Sequence, residues 1–285
     1  MNEKNWITEY VDKNLGFTLK IKEMLLDEQT PYQHIQVAET ERYGRILILD
    51  GVFQTSVKEE WTYHEMITNI PMMAHPNPER VLIIGGGDGG AAREILRHET
   101  VKQLDICEID KRVVEVSQEY FPTISKEINE KNGKLKMHIG DGIAFVKEIE
   151  NFYDLIIIDC SDPIGPGEGL FTRNFYKDAK KALRKNGIIV QQTESPIVQQ
   201  KTVHEVYKAM TDVFTNVNVF LAYVPIYPEC LHSFMAASDD IDIRNAKITR
   251  KHPTPMKYYN EEIQKSAFVL PEFIKEAIYK GKYTF

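Results

Sequence analysis

Cysteine is scarce. The 285 residues contain three, Cys107, Cys160 and Cys230, far apart and odd in number. That pattern excludes a disulfide frame and a cysteine-rich zinc site, and it fits a reducing, cytoplasmic compartment. Long apolar runs are missing too. None approaches the roughly 20 residues that a membrane helix needs, and the polar residues 1–10 do not read as a signal peptide. The eight histidines show no ligand-like spacing, so no metal is expected. Basic residues are outnumbered, 35 Lys+Arg against 42 Asp+Glu, for a formal charge of −7. A protein that grips nucleic acid through its phosphates needs a basic face, so neither nucleic acid nor a membrane is an expected partner. What remains is an ordinary globular composition, 42% hydrophobic and 27% charged. The length suits roughly two domains of typical size.

The hydrophobic period changes near residue 60. Residues 18–26, 32–40, 45–49 and 52–57 alternate as strands do, and Asp50-Gly51 is a hairpin signal because glycine tolerates positive φ. These predict a small antiparallel β domain over residues 1–60. From residue 61 to 285 the pattern predicts an α/β domain. A helix carrying Trp61, Met66, Ile70 and Met73 on one face stops at His75-Pro76-Asn77-Pro78. Short apolar runs follow at 81–84, 104–109, 135–139, 155–158, 188–192 and 217–224. Amphipathic segments at 91–98, 111–120, 143–150, 174–184 and 196–214 lie between them. Strands buried on both faces and separated by helices predict a parallel, doubly wound, Rossmann-like sheet. Residues 231–237 suit a last strand. Residues 244–285 are polar, with one helix after Pro271.

The first of these strands runs into Gly85-Gly86-Gly87-Asp88-Gly89-Gly90 and then a helix. Glycines there let a ligand approach the backbone and its N–H groups. Glu108 lies about 20 residues on, where an acid accepts from ribose hydroxyls. A tight turn beside a solvated acid would give the same letters. A dinucleotide and an adenosyl sulfonium are both candidate ligands. Asp88 favours the sulfonium, because a carboxylate repels a pyrophosphate and attracts a cation. Asp141, in Gly140-Asp141-Gly142, can accept from an adenine amino group, cap a helix, or both.

The fourth strand ends in Asp159-Cys160-Ser161-Asp162-Pro163 and a Gly/Pro-rich stretch to Gly169 that could order over a ligand. Two close carboxylates can hold an ammonium group, and one can take its proton. A turn using Asp and Pro for backbone reasons is the plainer account, though it needs only one such Asp.

Taken with Tyr32-Gln33, Leu49-Asp50-Gly51-Val52, Tyr63-His64-Glu65-Met66, Cys107-Glu108-Ile109-Asp110, Gln192-Thr193-Glu194-Ser195-Pro196 and Pro225-Ile226-Tyr227-Pro228, these motifs resemble the polyamine aminopropyltransferases, the spermidine synthases in particular. The resemblance spans nearly the whole chain. It implies transfer of an aminopropyl group from decarboxylated S-adenosylmethionine, a co-substrate rather than a cofactor, to putrescine. The products would be spermidine and 5′-methylthioadenosine. It also implies a methyltransferase-type sheet and a homodimer or homotetramer. By motif position it places Gln33, Glu108, Asp141, Gly142 and Pro166 on the methylthioadenosine part, beside the glycine loop of Gly85, Gly86, Gly87 and Gly89. It places Asp88 on the aminopropyl ammonium. Tyr63, His64, Asp162, Gln192 and Tyr227 would line the amine channel, and Asp159 would be the base. Cys160 stands where the family commonly has Ser. Glu229 and His232 fall near the amine end, so putrescine could be replaced by cadaverine, agmatine or spermidine. A methyltransferase is the second reading and a non-catalytic nucleoside or polyamine binder the third.

The −7 is unevenly spread. Residues 151–172 carry Asp154, Asp159, Asp162 and Glu168 with no Lys or Arg, 186–200 carry Glu194, and 209–243 carry Asp212, Glu229, Asp239, Asp240 and Asp242. Several of these stretches end later strands, so the expectation is an acidic pocket that draws in a polycation.

Overall fold

The computed structural model describes residues 5–129, 133–163 and 165–285. The first five strands are β1 (Trp6–Tyr10), β2 (Gly16–Gln29), β3 (His34–Thr40), β4 (Gly44–Leu49) and β5 (Val52–Ser56), paired in chain order as one antiparallel sheet. The Asp50-Gly51 turn has positive φ at both residues, 49° and 83°, as a tight two-residue hairpin requires. Strand β1 was not predicted. Its alternation is only five residues long, and it pairs with β2 from Trp6↔Lys20 to Tyr10↔Gly16. Tyr32 and Gln33, expected in a strand, lie in the turn before β3.

After helix α1 (Trp61–Ala74) the chain builds β6 (Arg80–Gly85), α2 (Gly90–Leu96), β7 (Gln103–Glu108), α3 (Lys111–Tyr120), α4 (Lys126–Asn129), β8 (Leu135–Ile139), α5 (Gly142–Lys147), β9 (Tyr153–Asp159), α6 (Arg173–Ala182), β10 (Leu183–Gln192), α7 (Gln200–Thr211), β11 (Asn216–Tyr223) and β12 (Leu231–Ser238). Helices α8 (Glu261–Ser266) and α9 (Glu272–Lys280) close it. The seven strands lie in the order β11-β12-β10-β9-β6-β7-β8. The sheet is mixed rather than wholly parallel, because β12 runs antiparallel to both β10 and β11. A turn of a few residues joins β11 to β12, too short for a crossover helix, so the pair must be a hairpin. Helix α7 starts at Gln200 rather than 196, and α8 was missed because six residues hold too little of the helical period.

Alternate residues of each central strand feed opposite cores. Leu155 and Ile157 pack with α1 and α2 on one face, Ile156 and Ile158 with α5, α6 and α7 on the other, all fully buried. Truncating any of them to Ala would cost about 2–5 kcal/mol. A smaller cluster joins Ile35, Val37 and Leu47 of the first sheet to Val113, Val116 and Phe121 around α3. This places the β2–β3 turn over the carboxyl ends of the parallel strands. Strand order reverses between β6 and β9 there, where open α/β sheets bind ligands. No helix among the described residues is long and apolar enough to cross a membrane.

Candidate active site

One cavity opens at that strand edge. Its lining includes Gln33, Tyr63, His64, Gly85, Gly86, Gly87, Asp88, Glu108, Asp141, Gly142, Asp159, Asp162, Gln192 and Tyr227, residues drawn from both sheets. Gly89 does not line it. With φ +84° it caps α2 and faces Ser125 and Ile128, so its part is the turn and close packing. The Pro166 side chain lies outside the described residues, as does Ile164. Glu229 is exposed and also absent from the lining, a correction to its expected place at the amine end.

One end of the cavity has nucleoside-like chemistry. Glu108 ends β7 and is buried, and its Oε1 accepts from the Asp110 N–H at 3.0 Å. Burial, with Asp110 beside it, pushes its pKa up to about 7. Gln33 is held by its amide, which donates to Asp110 Oδ2 at 3.1 Å. Asp110 also accepts from the Thr30 hydroxyl at 2.7 Å and caps α3, so one buried acid ties the first sheet to this end. Asp141 caps α5 through Oδ1, which accepts from the Ile143 N–H at 2.8 Å. Gly142 backs directly onto Ile84.

The centre is a group of acids around Asp159. Its Oδ1 accepts from the Tyr63 hydroxyl at 2.7 Å. One carboxylate oxygen each of Asp159 and Asp88 and one ring nitrogen of His64 all lie within 4.8 Å of one another. Burial and the neighbouring Asp88 raise the Asp159 pKa to about 6, against the pull of His64 and Tyr63. His64 was expected along the amine channel, and the structure gives both its ring nitrogens protein partners. Nδ1 meets Glu60 Oε2 at 2.6 Å and Nε2 meets Asp88 Oδ2 at 3.2 Å. Burial opposes the imidazolium, but Asp88 and Glu60 outweigh it and hold its pKa well above the usual range.

The far end combines aromatic rings and acids. Tyr63 meets Tyr227 at 6.1 Å and Phe234 at 5.2 Å between ring centroids, and His232 lies edge-on to Tyr227 at 5.0 Å. The Tyr227 hydroxyl donates to the Gln54 carbonyl at 3.0 Å, leaving mainly its ring for a ligand. His232 is kept neutral by burial, its pKa pushed down to about 3. Its Nε2 pairs with Gln192 Oε1 at 3.1 Å, and the Gln192 amide donates to the Cys160 carbonyl at 3.0 Å.

Two further acids stand here, Glu9, which the sequence does not single out, and Glu194, which it singles out only as part of an acid-only stretch. Glu9 on β1 accepts from the Phe53 N–H at 2.8 Å and is pushed up to about 7 by burial, with Asp162 adding to it. Glu194 has a left-handed backbone (φ 74°), and its Oε1 has no hydrogen-bond partner among the described residues. Burial, then Asp162, raises its pKa well above the usual range. Glu9 carried one faint signal, an acid on the inward side of a five-residue alternation. Glu60 carried a plainer one, its i,i+4 spacing to His64.

The lining includes Glu9, Asp50, Glu59, Glu60, Asp88, Glu108, Asp141, Asp159, Asp162 and Glu194 and, among the described residues, neither Lys nor Arg. The expected acidic pocket is present, but the charge-run argument located it only in part. Asp154, Glu168, Asp212, Glu229, Asp239, Asp240 and Asp242 do not line it. Asp212 pairs with Arg173, Asp239 pairs with Lys180, and Asp154 accepts from the Glu79 and Arg80 N–H groups.

Comparison with known proteins agrees with this geometry. A polyamine aminopropyltransferase from a Thermoanaerobacter strain is 44% identical over 271 residues, covering 95% of this chain and 97% of that protein. One from Clostridium kluyveri is 43% identical, covering 95% and 98%. A crystal structure of spermidine synthase in complex with the transition-state analogue AdoDATO superposes with a TM-score of 0.93 at 34% identity, covering 98% of this chain and 96% of that one. Spermidine synthase from Thermotoga maritima gives 0.91 at 34%, covering 96% and 94%. Residues 5–56 match the spermidine synthase tetramerisation domain and residues 60–248 the spermine/spermidine synthase domain. The chain therefore belongs to the spermine/spermidine synthase family of polyamine aminopropyltransferases.

Proposed function

We propose that the protein transfers the aminopropyl group of decarboxylated S-adenosylmethionine to putrescine, giving spermidine and 5′-methylthioadenosine. The observation that carries this reading is the run of acids from Asp88 through Asp159 to Asp162, Glu194 and Glu9, with aromatic walls and, among the described residues, no Lys or Arg in the lining. The donor's adenosine lies against Gln33, Glu108, Asp141 and Gly142, and its ammonium meets Asp88. The acceptor's far ammonium meets Asp162, Glu194 and Glu9, while its methylenes pass between Tyr63 and Tyr227. The near amine loses a proton to Asp159. Its lone pair then attacks the methylene carbon bonded to sulfur, and the C–S pair leaves on sulfur as a neutral thioether, so no general acid is needed. Ordinary S-adenosylmethionine would bring a carboxylate towards Asp88, which disfavours it as donor.

Purified protein with the decarboxylated donor and a panel of amines, products resolved by mass, tests the reading. Spermidine is the expected product, and no transfer to any amine would overturn it. Asp159 must be ionised to accept a proton, so kcat/KM should fall as pH drops through about 6. A flat profile across that range would remove Asp159 from the role. Added salt should raise KM for the diamine more than for the donor, because screening weakens the pull on the free dication. Equal shifts would return the acids to a role in solubility.

The reading extends to residues 1–60 as the assembling β domain of a homotetramer, with 61–285 as the catalytic domain. It also places the enzyme in the cytoplasm, supported by three free cysteines.

A further inference from the structure

Four buried or nearly buried side chains form a line that ends on Asp88. Arg93, on α2, grips Glu60 with both terminal nitrogens, Nη1 donating to Oε1 at 2.9 Å and Nη2 to Oε2 at 2.8 Å. Glu60 Oε2 meets His64 Nδ1 at 2.6 Å, and His64 Nε2 meets Asp88 Oδ2 at 3.2 Å. The other Asp88 oxygen accepts from the Gly90 N–H at 2.9 Å. Gly90 also makes room for the imidazole, since a Cβ there would sit 2.2 Å from the ring. Arg93 is braced by Glu94 through its Nε at 2.9 Å. The Glu60, His64 and Asp88 side chains are 7%, 3% and 14% exposed, so water screens the line poorly.

We propose that Arg93 and Glu60 are positioning residues for aminopropyl transfer, acting through His64 to hold Asp88 ionised and correctly turned beside Asp159. The proposal rests on the function given above. Arginine and imidazolium balance the two carboxylates of the line, which then carries no net charge. With a neutral imidazole the line would be one negative charge in excess, next to a base that must itself become negative. The groups facing His64 are Glu60, Asp88, Tyr63, Asp159 and Glu59, and those facing Asp159 are Asp88, His64, Tyr63, Cys160 and Tyr227. Of these, only His64 can supply a positive charge near Asp159. Losing it would let Asp159 keep its proton to higher pH.

Glu60→Gln, Arg93→Met and Arg93→Lys test this, each with a thermal melt to establish folding. Glu60→Gln should raise donor KM about tenfold, the worth of a weakened charge-assisted hydrogen bond. It should also move the acid limb of kcat upward by about one pH unit. Arg93→Met should shift both in the same direction, and Arg93→Lys should restore most of each. Imidazole nitrogen shifts, assigned with His64→Gln, give a readout independent of turnover. Wild-type His64 should stay doubly protonated at pH 7 and become neutral in Glu60→Gln. A charged His64 in folded Glu60→Gln, or an unshifted acid limb and donor KM, overturns the proposal. If Glu60→Gln does not fold, the Arg93 pair decides by donor KM and the acid limb alone, since loss of a cation leaves His64 charged between Glu60 and Asp88. If the wild type transfers no aminopropyl group, the function given above fails, while the nitrogen shifts still decide whether the line sets the charge of His64.

Discussion

Asp159→Asn is expected to lower kcat by about three orders of magnitude, within the usual range for loss of a positioned general base. The amide keeps the shape of the carboxyl and can still accept from the Tyr63 hydroxyl, so the end of β9 should hold its place. What it cannot do is take a proton at neutral pH. The nucleophile then stays an ammonium, with no lone pair to offer. Binding of methylthioadenosine should survive, because Glu108, Gln33 and Asp141 sit at the other end of the cavity. Single-turnover kinetics and calorimetric titration of the nucleoside separate the two effects. Turnover within a few-fold of wild type would take the base role from Asp159. Lost nucleoside binding would mean that Asp159 shapes the cavity rather than serving its chemistry.

Gly85→Ala is expected to be nearly as damaging, for a backbone reason. Gly85 ends β6 opposite Asp159 in the parallel ladder, and the next N–H, from Gly86, donates to the Asp159 carbonyl at 2.8 Å. A Cβ at Gly85 would stand 2.1 Å from that carbonyl oxygen and 3.2 Å from the Cys160 Cα, at φ +81°. Both obstacles are main chain, so no side chain can swing aside. Strain at the left-handed position plus the clash should cost about 2–5 kcal/mol. Relief requires the strand end to shift, and the catalytic carboxylate shifts with it. A thermal melt should show the lost stability. At a temperature where the variant is folded, kcat should still be down about a hundredfold, since small misplacements of reacting groups are costly. A wild-type melting temperature with wild-type kcat would show that the turn is more pliable than its geometry indicates.

Much of the site was legible because its residues sit at strand ends that the hydrophobic pattern locates. Glu108, Asp159 and Gln192 each close a buried run, and Asp141 follows the partly exposed edge strand β8. A Rossmann-like topology brings such ends to one edge whatever the details of packing. Glu9 and Gly89 mark the limits. Glu9 is separated from Asp162 by 153 residues, and nothing local in residues 6–10 says that this strand will reach the cavity. Gly89 belongs to the glycine run by its letters, yet its φ turns the chain into α2 and away from the ligand. Glu229 and the acids at 239–242 show the same limit for charge, since an acid-only stretch can face outward or pair with a distant lysine.

By itself, then, the sequence determined the change from an antiparallel β unit to an α/β sheet, the glycine loop, and the acids at the ends of the parallel strands. Those depend on local period and turn chemistry, which nearby residues dictate. Only the tertiary structure decided that β12 runs antiparallel, that Glu9 and Glu194 join Asp162, and that His64 stands between two carboxylates. It also decided that His232 is neutral and that Asp159 holds its proton up to about pH 6. Each depends on burial and on neighbours far away in the chain, and the energy of a buried charge is set by what surrounds it in space.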